Sequence, residues 1–374
     1  MFKRIRASIG LSLLLLAVSV PAVPAGDRVK IGAIYSLTGE AAADNLSEVR
    51  GVRLAAAEIN QNGGVLGREL ELLFFDNLSM PIGSKKAAEQ AAAAGVTAIV
   101  GCSWSTHSLA AARVAQANKI PLVSSFSTTP KLTLIGDYIF RACYTDPFQG
   151  LVLARFSRRD LKAATAVVMK NITSEFSLGL ADEFTKQFQR LGGQVLSHLN
   201  YKQNQDDFDS LLARVIAADP EVLFLAGYYE SGRIAKRAQE VGVKAVMLGG
   251  DGWGAEAFYQ MGGRSIRHAY FCTAWSPEMD TPKSRSFVEK YQAQGVDAAV
   301  AQGYDTLMLV ADAVRRAGSD NPEAVRKALA ETRDFEGVTG PIRFDENRNP
   351  IKSVVINEIV NGTEKYLKTA PPED

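Results

Sequence analysis

Residues 51–77 read GVRLAAAEINQNGGVLGRELELLFFDN. Helical periodicity covers 47–61, Gly63 and Gly64 stand where a left-handed C-terminal cap is expected, and RELELLFFD (68–76) has the apolar run of a buried parallel strand. With RVKIGAIYSL (28–37) upstream, this is a strand–helix–strand unit whose crossover length suits a parallel pair. A second piece, LGGQVLSHLNY (191–201), again passes from a helix end through Gly-Gly into a strand, which hints that one half of the chain echoes the other.

Working outward, TAIVGC (97–102), IPLVSSF (120–126) and DYIFRACY (137–144) extend the first series, with an Ala-rich helix at 84–94 closed by Gly95. A second series follows: AATAVVMK (163–170), GQVLSHLNY (193–201), EVLFLAGYY (221–229), AVMLGG (245–250) and HAYFCTAW (268–275). Between them, a helix over 207–217 places Phe208, Leu211, Leu212, Val215 and Ile216 on one stripe, read as core. Beyond Trp275 the pattern changes to helices at 281–294, 300–317 and 321–332, then strands PIRFDEN (341–347) and SVVINEIV (353–360). The alternation is that of an α/β protein with two lobes of like design.

Bulk properties agree. The 374 residues are 47% hydrophobic and 22% charged, enough for a large core and about two domains. The 42 basic residues nearly balance 41 acidic ones, which disfavours nucleic acid as a partner. Three Cys (Cys102, Cys143, Cys272) and three His (His107, His198, His268) have no metal-site spacing, so no metal and no cofactor is expected. Buried free thiols are the favoured reading of the cysteines, with a Cys102–Cys143 bridge as the alternative.

The first 25 residues, MFKRIRASIGLSLLLLAVSVPAVPA, have a basic start, an apolar run of about a dozen residues and small residues at Val23 and Ala25, the pattern of a cleaved Sec signal peptide. The run falls short of the roughly 20 residues a membrane span needs, and no Cys follows it to carry a lipid. Cleavage removes three basic residues and no acidic one, leaving 39 against 41, a net charge of −2. A soluble periplasmic protein is expected.

Motifs for catalysis are missing. No phosphate-binding G-x-x-x-x-G-K-[ST], G-x-S-x-G or H-E-x-x-H occurs, and GGDGWG (249–254) lies too late and in the wrong glycine register for a dinucleotide site. Ser105 and His107 sit on one turn without an ordered acid partner, so a hydrolase is disfavoured. Hydroxyl residues instead gather after strands, in GCSWSTHSL (101–109) and SSFSTTPKLT (124–133), where backbone N–H groups and helix dipoles favour an anion. Simple N-capping by Ser105 or Thr129 would explain them equally. On the corresponding edge of the second series lie Tyr228, Tyr229 and Asp251, a carboxylate with aromatic faces. Anion donors on one side and a carboxylate on the other complement an amino-acid zwitterion.

In ordered blocks from RVKIGAIYSLTGEAA through GVRLAAAEINQNGGVLGRELELLFFDN, AIVGCSWSTHSLAAA, IPLVSSFSTTPKLT, YIFRACYTDPFQG, VMLGGDGW and QGYDTLMLVADAVRRAGS (302–319), the chain resembles the leucine/isoleucine/valine-binding family of ABC-transporter solute-binding proteins. The resemblance implies the type I periplasmic binding protein fold: two Rossmann-like lobes joined by three hinge crossovers, closing on ligand in the cleft. Residues 27–144 plus 276–350 would form the N-terminal lobe and 147–273 plus 353–374 the C-terminal lobe. Carried over by position, Ser105 and Thr128 would hold the ligand α-carboxylate, Phe126 would offer its carbonyl to the ammonium, and Asp251 would take the ammonium charge. Tyr228 would be a cleft tyrosine, Phe176 an aromatic closing over the ligand, and Asp305 an acidic position recurrent in the family. Two departures bear on specificity: Asp44 stands where branched-chain binders often have an aromatic, and Trp104 where smaller residues are common. A carboxylate at Asp44 opposes a purely aliphatic side chain unless it is paired or solvated.

The expected function is therefore an exported receptor that binds an amino acid and delivers it to an inner-membrane ABC permease, as a monomer and without turnover. The alternatives are a ligand sensor of the same fold, or a binder of urea, short amides or small aromatic acids.

Overall fold

The computed structural model describes residues 28–372; the expected signal peptide lies outside them. Strands β1 (Val29–Tyr35), β2 (Leu70–Asp76), β3 (Ala98–Gly101), β4 (Leu122–Ser124) and β5 (Ile139–Arg141) form an all-parallel sheet of order β2-β1-β3-β4-β5. Helices α1 (Ala42–Gln61), α2 (Pro81–Ala93) and α3 (Ser105–Ala117) make its crossovers. Gly63 and Gly64 end the α1 turn with φ of +88° and +77°, as the opening stretch predicts.

The chain then enters a second sheet through α4 (Asp146–Arg155). Strands β6 (Thr165–Asn171), β7 (Gln194–Tyr201), β8 (Val222–Ala226), β9 (Val246–Gly249) and β10 (His268–Thr273) alternate with α5 (Glu175–Arg190), α6 (Asp209–Ala218), α7 (Glu230–Glu240) and α8 (Glu256–Gln260). After β10 the chain returns to the first sheet with α9 (Pro282–Tyr291), α10 (Ala298–Ala317), α11 (Pro322–Ala330) and a small hairpin of β11 (Phe335–Gly337) and β12 (Gly340–Ile342). It crosses a third time to add β13 (Val354–Val360) and β14 (Thr363–Ala370), both antiparallel, giving the order β14-β13-β10-β9-β8-β6-β7. Two doubly wound lobes with three crossovers are thus present, as expected.

Each lobe has its own core. Val29, Ile31, Ala33 and Tyr35 of β1 pack with Val300, Leu307 and Val314 of α10 in one, and Val168, Phe184, Phe224 and Leu248 pack in the other. Helices α1 and α10 approach closely because both carry glycine at the crossing: a Cβ on Gly51 would run into the Val300 carbonyl, and one on Gly303 into the Glu48 carbonyl. That crossing fixes the part of α1 that carries Asp44 and Glu48.

Two expectations change, and one strand is added. Residues 341–347 are not one strand: β12 ends at Ile342, and Asp345 Oδ1 accepts the amides of Asn347 and Asn349 at 2.8 Å each, turning the chain. Ile216 of the supposed core stripe is 45% exposed, because α6 buries only Leu212 and Val215 fully. Strand β14 had no sequence signal; it alternates exposed and half-buried residues along a sheet edge. All three cysteines are buried and unpaired. Among the described residues no helix is long and apolar enough to cross a membrane.

Candidate functional site

The loops that follow β3 and β4 in one sheet and β8 and β9 in the other wall a common cavity, as open α/β sheets do beyond the carboxyl ends of their strands. Ser103 and Trp104 come from the first loop, Phe126 from the second, Tyr228 from the third and Asp251 from the fourth. Asp44 and Glu48 enter from α1 and Phe176 from α5. The cavity is narrow, with a volume of about 40 Å³.

The first-lobe wall is held rigidly. Arg141, fully buried at the end of β5, donates to the carbonyls of Ser127 (2.5 Å) and Thr129 (2.7 Å), and Gln302 Nε2 donates to the Ser125 carbonyl at 3.1 Å. Ser127 Oγ donates to Ser105 Oγ at 3.3 Å, tying the two hydroxyl-rich loops together. The Thr128 hydroxyl is buried with no hydrogen-bond partner. Helix α3 starts at Ser105 behind Trp104, with no side-chain cap on its first amides.

Aromatic rings close the cavity from both lobes. The Trp104 and Tyr228 ring centroids are 4.3 Å apart, and Phe176 stacks on Tyr228 at 4.7 Å. His107 stacks on Trp104 at 5.4 Å, and burial pushes its pKa down to about 4. Beside the rings, Glu175 bridges the lobes: its amide donates to Thr106 Oγ1 at 3.2 Å, and its Oε1 accepts from Thr129 Oγ1 at 3.3 Å and Lys131 Nζ at 2.7 Å.

Electrostatically the cavity is acidic. Burial, and secondarily the charge of Asp146, pushes Asp251 up to about 8. Burial raises Glu48 to about 8, partly offset by the hydroxyls of Ser103 and Ser125. Asp44 is raised by burial and by Glu230, against a hydrogen bond from Trp104 Nε1 at 3.2 Å. Asp146 is raised by burial to about 7, and Gln149 links it to Asp251: Gln149 Nε2 donates to Asp146 Oδ1 at 3.0 Å and Oε1 accepts the Asp251 amide at 3.4 Å.

Of the residues singled out in the sequence, Asp44, Trp104, Phe126, Phe176, Tyr228 and Asp251 line this cavity. Ser105 and Thr128 are buried in the loops that form its wall. Asp305 is elsewhere: its carboxylate accepts the Val338 and Thr339 amides and the Thr339 hydroxyl at 2.6–2.8 Å, fastening the β11–β12 hairpin, so a ligand contact at Asp305 is replaced by this structural role. The sequence reading missed Glu48 and Ser103 in the cavity, and Arg141, Asp146 and Gln149 behind it. Glu48 was within reach, since it lies four residues after Asp44 on a helix and so shares its face.

Residues 28–364 match the sequence model described as periplasmic binding protein. A Leu/Ile/Val-binding protein homologue of Brucella melitensis is 26% identical over 323 residues, 85% of this chain and 87% of the relative. Among solved structures, a leucine-binding protein of Thermotoga maritima superposes with a TM-score of 0.88 at 34% identity, covering 92% of this chain and 99% of that one. The branched-chain amino acid transporter substrate-binding protein of Streptococcus pneumoniae, in complex with isoleucine, has a TM-score of 0.88 at 28% identity, covering 92% and 100%.

Proposed function

The chain belongs to the periplasmic-binding-protein family, in its leucine/isoleucine/valine-binding branch, and from that premise we propose that it is an exported receptor that closes on an amino acid and hands it to an inner-membrane ABC permease. The observation that carries the reading is the pairing across the cavity of Asp251 on one side with the hydroxyl-rich loops of Ser105 and Thr128 on the other. In this reading the start of α3, which has no side-chain cap, and the Thr128 hydroxyl take the α-carboxylate, while the Phe126 carbonyl and Asp251 take the ammonium. Tyr228 and Phe176 exclude water.

With Trp104 stacked on Tyr228 the cavity is walled from both lobes, and in this reading the lobes part for loading. Hinges near 144–147, 275–277 and 349–352, between the lobes 27–144 plus 276–350 and 147–273 plus 353–374, supply that motion. Ligand then contributes the contacts that draw the lobes together. No turnover is involved: the Ser105 hydroxyl is engaged by Ser127, and His107 lies flat on an indole. A small aromatic acid would bring one more carboxyl into a cavity that already holds Asp44, Glu48 and Asp251, which argues against that ligand class.

The test is a thermal-shift screen of the mature protein, refolded to strip bound ligand, against amino acids and their des-amino and des-carboxy analogues. Ligand at about a hundred times its Kd should add about 2.7 kcal/mol, a shift of several degrees. A response confined to compounds with both groups is expected; equal response to des-amino acids would reject the assignment.

A further inference from the structure

Asp44 and Glu48 are only partly satisfied: Trp104 Nε1 donates to Asp44 at 3.2 Å and the Ser103 and Ser125 hydroxyls offset the burial of Glu48, but neither carboxyl meets a cation. They lie one turn apart on α1, are 6% and 2% exposed, and both line the cavity that holds Asp251. Among the described residues, Asp44 Oδ1 and Glu48 Oε2 are buried without a hydrogen-bond partner, and no lysine, arginine or histidine lines the cavity. The basic residues nearby are engaged elsewhere. Arg50 pairs with Asp297, Arg141 donates to the Ser127 and Thr129 carbonyls, and Lys352 donates to the Ala142 carbonyl.

Like charges at this helical spacing repel, and burial multiplies the cost. The surroundings increase it: Glu230 from the facing lobe is fully buried and raises Asp44 further, while Asp297 acts in the same sense on Glu48. An aliphatic ligand side chain would seal both carboxyls against hydrocarbon and leave them unsatisfied. A nitrogen-centred cation would satisfy both, with the faces of Trp104 and Tyr228 available to it as well.

We infer that the ligand carries a second positive group, received by Asp44 and Glu48 on α1, so that the solute is a compact basic amino acid. This rests on the receptor reading above, in which Asp251 takes the α-ammonium. The two acidic positions then divide the ligand: one end of the cavity reads the amino-acid backbone, the other its side chain. The branched-chain ligands of the relatives lack the group that the second position requires.

The test is calorimetric titration of the refolded mature protein with 2,4-diaminobutyrate, ornithine, lysine and arginine, against norvaline, leucine and isoleucine. At least one basic amino acid should bind ~30-fold or more tightly than norvaline. The Asp44→Asn/Glu48→Gln double variant should abolish that gap by weakening the basic ligand and strengthening norvaline; a melting temperature at or above wild type shows that it folds. Leucine or isoleucine binding more tightly than every basic amino acid would overturn the inference and leave the receptor reading standing. Failure of every α-amino acid to bind would overturn both.

Discussion

The indole of Trp104 lies parallel to the ring of Tyr228, centroids 4.3 Å apart and planes 1° apart, although one residue follows β3 in the first sheet and the other follows β8 in the second. The stack is therefore a contact between lobes, and any parting of the lobes would break it. It also places Trp104 Nε1 on Asp44, joining closure to the acidic end of the cavity.

Trp104 is the tryptophan that lines the cavity; Trp253 and Trp275, the latter at a proposed hinge, are fully buried in the cores. Ligand titration should therefore change tryptophan fluorescence in the wild type, and Trp104→Phe should remove most of the change. A full change in the variant would mean that the boundary does not move.

Asp251→Asn keeps the shape of the cavity and removes the charge proposed to meet the ammonium. Loss of one partner of a buried charge pair costs about 2–5 kcal/mol, so amino-acid affinity should fall by ~30-fold or more while the empty protein remains folded. Calorimetry and the melting temperature of the empty variant check the two halves.

Glu175 holds the closed form through Thr106, Thr129 and Lys131, but Lys131 is 69% exposed, so the ion pair is screened. Glu175→Ala should speed ligand release by a few-fold, and raised salt should have a similar, smaller effect on wild type. Stopped-flow release rates test this; no change in rate would remove Glu175 from the closure contacts.

The empty protein should lose stability as pH rises from 6.5 to 8. Asp251 and Glu48 are raised to about 8 and Asp146 to about 7, so in this window they stay partly protonated when folded and are ionised when unfolded. The unfolded state then binds fewer protons, and stability falls with pH. Glu364, also raised to about 7 by burial, adds to the fall. His107, lowered to about 4, and Lys352, lowered to about 8, act in the opposite sense, the first fading as pH rises past its unfolded value near 6.5 and the second growing as pH nears 8, so the four carboxyls set the net direction. Denaturant melts at pH 6.5 and 8 should show the decline in empty protein, and Asp251→Asn should reduce it.

Asp305→Ala removes a buried acceptor of three hydrogen bonds beside buried Lys352, and should cost about 3–5 kcal/mol of stability. Asp305→Asn should cost less and leave ligand affinity unchanged, as measured by calorimetry. A selective loss of affinity in that variant would return Asp305 to the binding site.

Much of this was legible in the chain because buried parallel strands and their crossover helices leave strong local patterns. Both strand series, the glycine caps of α1 and α2 and the helices after Trp275 all follow from such runs. Strand β14 did not, because TEKYLKTA is a charged, antiparallel edge whose pattern is shared with solvent-facing loops. At the site, the aromatic and acidic positions after strand ends were readable by place. The supporting groups were not: Arg141 acts on carbonyls 12 and 14 residues away, and Asp305 on amides 33 and 34 residues away, contacts that only the folded chain brings together.

Calorimetry on the refolded mature protein decides whether the cleft recognises an amino-acid zwitterion. Saturable one-to-one binding of at least one α-amino acid is expected, lost when either its amine or its carboxylate is removed and lost in Asp251→Asn. Binding that survives removal of the amine, with Asp251→Asn unaffected, would show that it does not.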